Sequence, residues 1–459
     1  MPVQIAILGA GSLEFTRQLM RDTLCVPELQ DTSFRLMDID DGNLEKVAAL
    51  CRRDIEGNKL HATLLATRDR AEALDGADYV ISVVRVGGLD AFELDVEIPL
   101  KYGVDQCVGD TLCAGGILYA QRNIPVIREF CRDIRRYAAP GAVFMNYANP
   151  MAMNTWAAHL EGTGGEILGL CHGVQHGHLQ LAKVIELLVN EGKPADAPGF
   201  ERVERNDVDI VCAGINHQTW YTQVLYRGED WTDRLLEGFE KHPQYAKEEK
   251  VRIDMLRRFG FYSTESNGHL SEYLPWYRKR RAEIPRWIDT GSWIHGETGG
   301  YLRYCRENRD AFEKSYADLM RKPVERIDPV LRTWEHGSYI IESLETGRIY
   351  RGHFNRVNHG CISNLPPDAI VEAPGYVDRN GIHTPRVGEL PPGCAAVCNA
   401  SITVQRLAVQ AAMTGDVNLL KQAMMMDPLV GAVCTSDEIS RMTDEMLKAQ
   451  ARWLPQYFD

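Results

Sequence analysis

Over its first 170 residues the chain alternates short apolar runs with amphipathic stretches. Val3–Leu8, Phe34–Met37, Tyr79–Val84, Val143–Met145 and Ile167–Leu170 are largely apolar along their whole length, the form taken by parallel strands covered on both faces. Between them, Leu44–Ile55 and Ile127–Tyr137 carry apolar residues at helical spacing. The pattern predicts repeated βαβ units, an α/β fold of the Rossmann type with a doubly wound parallel sheet. Beyond about residue 175 the strand signal thins. Charged helical segments follow at Tyr245–Phe259, Asp310–Lys322 and Met442–Leu454, with a β-rich insert near Ala369–Tyr376 between the loops Leu365-Pro366-Pro367-Asp368 and Glu389-Leu390-Pro391-Pro392-Gly393. This predicts a first domain over 1–175 and a second, α+β domain over 176–459.

Composition narrows the function classes. With 459 residues, 44% of them hydrophobic and 25% charged, the chain can bury large cores, which excludes disordered, collagen-like and coiled-coil classes. Fifty-one Lys and Arg against 64 Asp and Glu give a net charge of −13, which repels polyanions, so no nucleic-acid partner is expected. The short run Tyr277-Arg278-Lys279-Arg280-Arg281 reads as a solvated face or an anion pocket. No 18-residue apolar run occurs, and Met1 to Leu8 lacks a basic leader, so a soluble cytoplasmic protein without a membrane partner is expected. Twelve cysteines without paired spacing read as reduced, mostly buried thiols.

Four segments carry candidate chemistry. The first strand runs into Gly9-Ala10-Gly11-Ser12, where Gly9 permits a tight turn and Gly11 lets backbone amides approach a pyrophosphate. Glu14 stands where a third glycine would be, so the motif alone also describes a structural turn. The context favours a cofactor, because the second strand ends in Met37-Asp38-Ile39-Asp40, placing the Asp38 carboxylate where a ribose diol needs one and pointing to NAD over NADP. Next, Asn146-Tyr147-Ala148-Asn149-Pro150 lies at the carboxyl edge of the sheet; Asn146 is a cofactor candidate and Asn149 a sugar or cofactor ligand, against the plainer reading of a turn before proline.

The third segment, Cys171-His172-Gly173, joins with Gly214-Ile215-Asn216-His217: one thiolate from Cys171 and one imidazole from His217 would hold a divalent cation and leave positions open for substrate hydroxyls. Buried core residues are the alternative. Asn216 is a substrate-binding candidate beside His217. The fourth segment, Ser263 to Tyr277, contains Tyr273, either a phenol made acidic by a nearby cation or a buried hydrogen-bonded aromatic.

Together these residues resemble glycoside hydrolase family 4, the NAD- and divalent-metal-dependent α-glycosidases, over essentially the whole chain. The likeness rests on Gly109-Asp110-Thr111 running to Gly115-Gly116, Asn146 to Pro150 with Met151-Ala152-Met153-Asn154-Thr155-Trp156, Cys171-His172, Gly214 to His217, and Glu265 to Trp276. The resemblance implies oxidation at C3 of the sugar by NAD, a Mn²⁺ or similar cation on Cys171 and His217, removal of the C2 proton by Tyr273, and elimination aided by a proton donor at His172 or Asp110. Water then adds and the hydride returns. Gly173 resembles the uronide-cleaving branch, so a small non-phosphorylated α-glycoside with an anionic C6 group is expected, with Arg278 or Arg280 pairing to it. An α-galactoside or a sulfoquinovoside is the alternative, and a 2-hydroxy-acid dehydrogenase is the reading from another class. A homodimer or homotetramer is implied.

Overall fold

The computed structural model describes residues 2–12, 15–289 and 291–458; Glu14 lies outside them. Thirteen strands form one sheet: β1 (Gln4–Leu8), β2 (Ser33–Met37), β3 (Thr63–Thr67), β4 (Tyr79–Ser82), β5 (Val143–Asn146), β6 (Ile167–Gly169), β7 (Val208–Ile215), β8 (Gln218–Tyr226), β9 (Glu229–Asp230), β10 (Tyr262–Ser263), β11 (Tyr350–Val357), β12 (Ile370–Asp378) and β13 (Gly381–His383). The path runs β10-β8-β7-β12-β11-β6-β5-β4-β1-β2-β3, with β13 beside β12 and β9 beside β8. From β6 to β3 all pairs are parallel, and the order reverses direction at β1 and β4, the switch point where dinucleotides bind in such sheets. This is the doubly wound fold that the apolar runs predict, and those runs are its buried central strands.

The second half is α+β and continues the same sheet. β11 joins β6 antiparallel at Asn355 opposite Gly169, β12 pairs with β11, and β7 meets β12 at Gly214 opposite Glu372. The position 175/176 falls inside the helix Gly173–Val189, and one apolar core reaches from Ile98 through Trp220 to Leu454. The helix Cys113–Tyr137, sixteen of whose residues are buried, lies at its centre.

No helix among the described residues is long and apolar enough to cross a membrane. All twelve cysteines are free; ten are buried, while Cys171 and Cys305 are half-buried.

Candidate active site

The β1 turn is shaped for close backbone approach. Gly9 has φ +86°, and a Cβ there would lie 2.8 Å from Val84 Cγ1; one on Gly11 would lie 2.8 Å from Asp38 Oδ2. Only glycine fits both demands. The Gly9 and Ala10 amides donate to Met37 O, Ser12 N donates to Gly9 O at 3.3 Å, and Gly11 N donates to Asp38 Oδ2 at 2.8 Å. Asp38 is thus locked against the glycine turn. Asn146 is buried and turned to its own loop: Nδ2 donates to Ala148 O at 2.9 Å and Oδ1 accepts from Ala148 N at 3.2 Å. It braces the 146–150 bend at the sheet edge.

Cys171 follows β6, and His217 is delivered by the two-residue turn between β7 and β8, where its φ of 62° places a non-glycine residue in the left-handed region. The antiparallel strands beneath hold that conformation. Between them stands Glu265: its Oε2 is 3.7 Å from Cys171 Sγ and 3.5 Å from His217 Nε2, and the ligand atoms of all three lie within 4.8 Å of one another. A thiol, an imidazole and a carboxylate form a donor set suited to a transition-metal dication such as Mn²⁺ or Zn²⁺. Gly173 makes the room, since a Cβ there would overlap the Glu265 carboxylate. Burial opposes its ionisation, yet the imidazoles of His217, His269, His172 and His176 hold the Glu265 carboxyl at about 2. Burial, then the charges of Glu265 and Glu372, push the Cys171 thiol well above its ordinary value. A cation would supply the balancing positive charge.

Around this cluster the remaining candidates sort by their partners. Thr111 Oγ1 donates to Asp110 Oδ1 at 2.9 Å and meets His217 Nδ1 at 3.1 Å. Asp110 Oδ2 accepts from Asn149 Nδ2 at 3.0 Å and faces Arg85 at 3.7 Å. Tyr273 is buried with its hydroxyl 3.5 Å from His217 Nδ1; burial, then Glu272 and Asp110, drive its pKa well up. His172 Nδ1 lies 3.0 Å from Glu335 Oε1; burial alone would lower its pKa, but Glu335 raises it to about 9. Asn216 is buried, with Nδ2 3.5 Å from Glu372 Oε2.

Arg278 and Arg280 are not placed to bind an anion. Arg278 is buried, paired with Asp105 and also donating to Ser271 and Gly296, so its charge and N–H groups are committed inside the protein. Arg280 lies on the surface and pairs with Glu283 at 3.0 Å. The run lies in turns and bends between the helices Asn267–Tyr273 and Ile284–Trp287, which turn one arginine into a structural ion pair and leave the other at the surface.

Sequence reasoning missed Glu265, Thr111, Glu335 and Glu372 as members of the cluster. Glu265 and Thr111 lie in the segments that carried the family likeness, where residue type was a sufficient signal for a carboxylate and a hydroxyl. Glu335 and Glu372 come from distant parts of the chain and have no local signal.

A dinucleotide-type sheet with a partly buried thiol–imidazole–carboxylate cluster at its seam defines a cofactor-dependent enzyme. Residues 4–187 match the family model described as "Family 4 glycosyl hydrolase", and residues 212–430 match its C-terminal domain. The chain belongs to family 4 of the glycosyl hydrolases. It is 55% identical over 455 residues to the α-galactosidase of Rhizobium meliloti (strain 1021), covering 99% of this chain and 89% of that protein. It is 32% identical to the α-galactosidase of Bacillus subtilis (strain 168), covering 99% of each. Among solved structures it resembles a 6-phospho-α-glucosidase from gut microorganisms, in complex with NAD and glucose-6-phosphate, at 25% identity and TM-score 0.79 over 99% of each chain.

Proposed function

We propose that this glycosidase cleaves neutral α-galactosides, using NAD and a divalent cation, Mn²⁺ by preference. The observation that carries the reading is the cluster of Cys171, His217 and Glu265 with the Tyr273 hydroxyl against the same imidazole. The α-galactosidase named at 55% identity supports the sugar. The case for an anionic C6 group rested on Gly173 and on Arg278 or Arg280. Gly173 has a steric reason in Glu265, and neither guanidinium is free.

The glycine turn and Asp38 would hold the dinucleotide, and Cys171, His217 and Glu265 the cation. When bound, these groups take up and return the C3 hydride and polarise the oxidised sugar so that its C2 hydrogen becomes acidic. Tyr273 would remove that proton as the phenolate, which needs the bound cation's positive charge to offset the burial and the carboxylates that raise its pKa. His172, oriented by Glu335, gives a proton to the departing oxygen. Asp110 has both oxygens engaged as acceptors by Thr111 and Asn149, so its part is to hold the Thr111–His217 pair. Asn149, directed at Asp110, and Asn216, directed at Glu372, line the polar floor for sugar hydroxyls.

The test is a panel of methyl α-glycosides (galactoside, galacturonide, glucuronide, sulfoquinovoside) with NAD⁺ and Mn²⁺ present or omitted singly. The galactoside is expected to be cleaved only with both, with deuterium from D₂O entering at C2 and no net NADH. Tyr273→Phe should retain cofactor and cation but lose the C2 exchange. Cleavage without NAD⁺, or NADH accumulating in proportion to product as in a hydroxy-acid dehydrogenase, would sink the mechanism; preference for a charged sugar would sink the substrate.

A further inference from the structure

Glu272 takes no part in the proton transfers at the sugar, yet it is wholly buried beside them. It precedes Tyr273 on the short helix Asn267–Tyr273. Its oxygens enter the turn before Asp110 and accept three successive backbone amides: Cys107 N at 2.8 Å and Val108 N at 3.0 Å on Oε2, and Gly109 N at 3.0 Å on Oε1. Consecutive amides that converge in this way form an anion-binding concavity. Here the chain supplies its own anion. Gly109 permits the turn, with φ +63°, and Gly268 lets the helix lie against it, since a Cβ there would come 2.9 Å from Cys107 Sγ. Burial raises the Glu272 carboxyl to about 7; the Gly109 amide, the Arg278 guanidinium and the Val108 and Cys107 amides keep it from rising further.

The tie matters because of what its two ends carry. The turn runs on into Asp110 and Thr111, whose hydroxyl meets His217 Nδ1 at 3.1 Å. The helix ends in Tyr273, whose hydroxyl approaches the same nitrogen at 3.5 Å. Gly109 and Glu272 are 163 positions apart, so nothing local sets the spacing of turn and helix. A parallel strut joins the same two elements: Arg278 Nε donates to Asp105 O at 2.9 Å and Nη1 to Ser271 Oγ at 3.1 Å. The Arg278 charge is paired with Asp105, so an isosteric amide at position 272 strands no buried charge.

We infer that Glu272 is a positioning residue: by clamping the amides of 107–109 it sets Thr111 and Tyr273 against His217, and so serves both the binding of the cation and the removal of the C2 proton. The inference deepens the proposed activity. Its second half rests on the proposed role of Tyr273, whereas its first half needs only a cation on His217.

Two measurements decide it. Glu272→Gln keeps the shape but replaces one acceptor oxygen by an NH₂ group that repels the amides. In chelator competition in mildly alkaline buffer, where the parent carboxyl is ionised, it should raise the Mn²⁺ dissociation constant about 10- to 100-fold, as loss of an outer partner of a ligating histidine does, with NAD binding retained. Added to Thr111→Ala, the same substitution should weaken Mn²⁺ by no more than about twofold further, because the partner it positions is already gone. Parental affinity in Glu272→Gln, or a full further loss on top of Thr111→Ala, overturns the inference. In kinetics on methyl α-galactoside with saturating NAD⁺ and Mn²⁺, Glu272→Gln should slow kcat and C2 exchange about 100-fold, the cost of a misplacement near 1 Å, with KM kept. Exchange at the parental rate, or a loss carried in KM instead, overturns it. Should the Gln variant fail to fold, Glu272→Asp, which keeps the charge and withdraws it by one methylene, is read against the same outcomes. The titration needs no turnover, so it still decides the tie if the galactoside panel fails.

Discussion

The Thr111 hydroxyl is asked to do two things at once, and its single proton settles which neighbour does what. It lies 2.9 Å from Asp110 Oδ1, an acceptor with both oxygens engaged, so its proton goes to the carboxylate. Its lone pair then faces His217 Nδ1 at 3.1 Å, which must carry the ring proton, leaving the Nε2 lone pair directed at Cys171 and Glu265. Outer partners of this kind fix the tautomer of a ligating histidine, and their loss typically costs about 10- to 100-fold in metal affinity. Thr111→Ala should therefore raise the Mn²⁺ dissociation constant by that order while leaving NAD binding in place, and Thr111→Ser should restore it. Competition titration with a chelator measures this, and parental affinity in Thr111→Ala would remove the role. At this scale the candidate ligand types, Cys171 and His217, could be singled out because few residues do such chemistry, and the structure brings the two together with Glu265. The tautomer was not, because it depends on a hydroxyl 106 positions away.

Among the elements, the helix Met151–Glu161 carries the 146–150 bend into the core and is pinned at its far end by one carboxylate. Glu161 receives Arg128 at 2.9 Å and Arg132 at 3.0 Å, with Arg135 at 3.4 Å, three arginines on one face of the helix Cys113–Tyr137. Arg132 first, then Arg128, outweigh the cost of burial and bring the Glu161 carboxyl down to about 2. A carboxyl lowered on folding stabilises fully above its ordinary value of 4.5 and loses that contribution as pH falls from there towards 2. Glu161→Gln is therefore expected to be less stable than the parent at pH 7 by roughly 1 kcal/mol, the pairs being partly exposed, with the gap narrowing between pH 5 and 3. Urea midpoints at both pH values check it; a gap that widens in acid would refute the assignment. The legibility of elements follows the same physics. The doubly covered strands β1, β2, β4, β5 and β6 were readable from their unbroken apolar runs. β3 was not, being a half-exposed edge strand, and the β7–β8 hairpin escaped because its turn is Asn216-His217, with no glycine to announce it. The candidate metal-binding His217 occupies the place where the turn signal would stand.

For the whole molecule, the question is whether the two halves are separable, as a boundary near residue 175 would suggest. Asp95 answers it. Its carboxylate pairs with Arg122 through bonds of 2.9 and 2.6 Å and accepts Gln450 Nε2 at 2.8 Å, with Asp95 and Arg122 both buried. Gln450 also contacts Arg122, and further along the chain Gln456 Nε2 donates to Gln121 O at 2.7 Å while the Tyr457 hydroxyl donates to Gln121 Oε1 at 2.6 Å. The C-terminal turn is thereby fastened to the helix Cys113–Tyr137, which belongs to the dinucleotide half, and the shared sheet and the core from Ile98 to Leu454 do the rest. Removing one member of a buried ion pair leaves the other charge unmatched and costs about 3–5 kcal/mol. Asp95→Ala strands the Arg122 guanidinium and frees Gln450, so it should destabilise the protein by that order. Because the apolar core is common to both halves, denaturation followed by tryptophan fluorescence and by far-ultraviolet circular dichroism should shift together in a single transition. Two separated transitions, with only one of them moved by Asp95→Ala, would show that the halves fold as independent units held by the sheet alone.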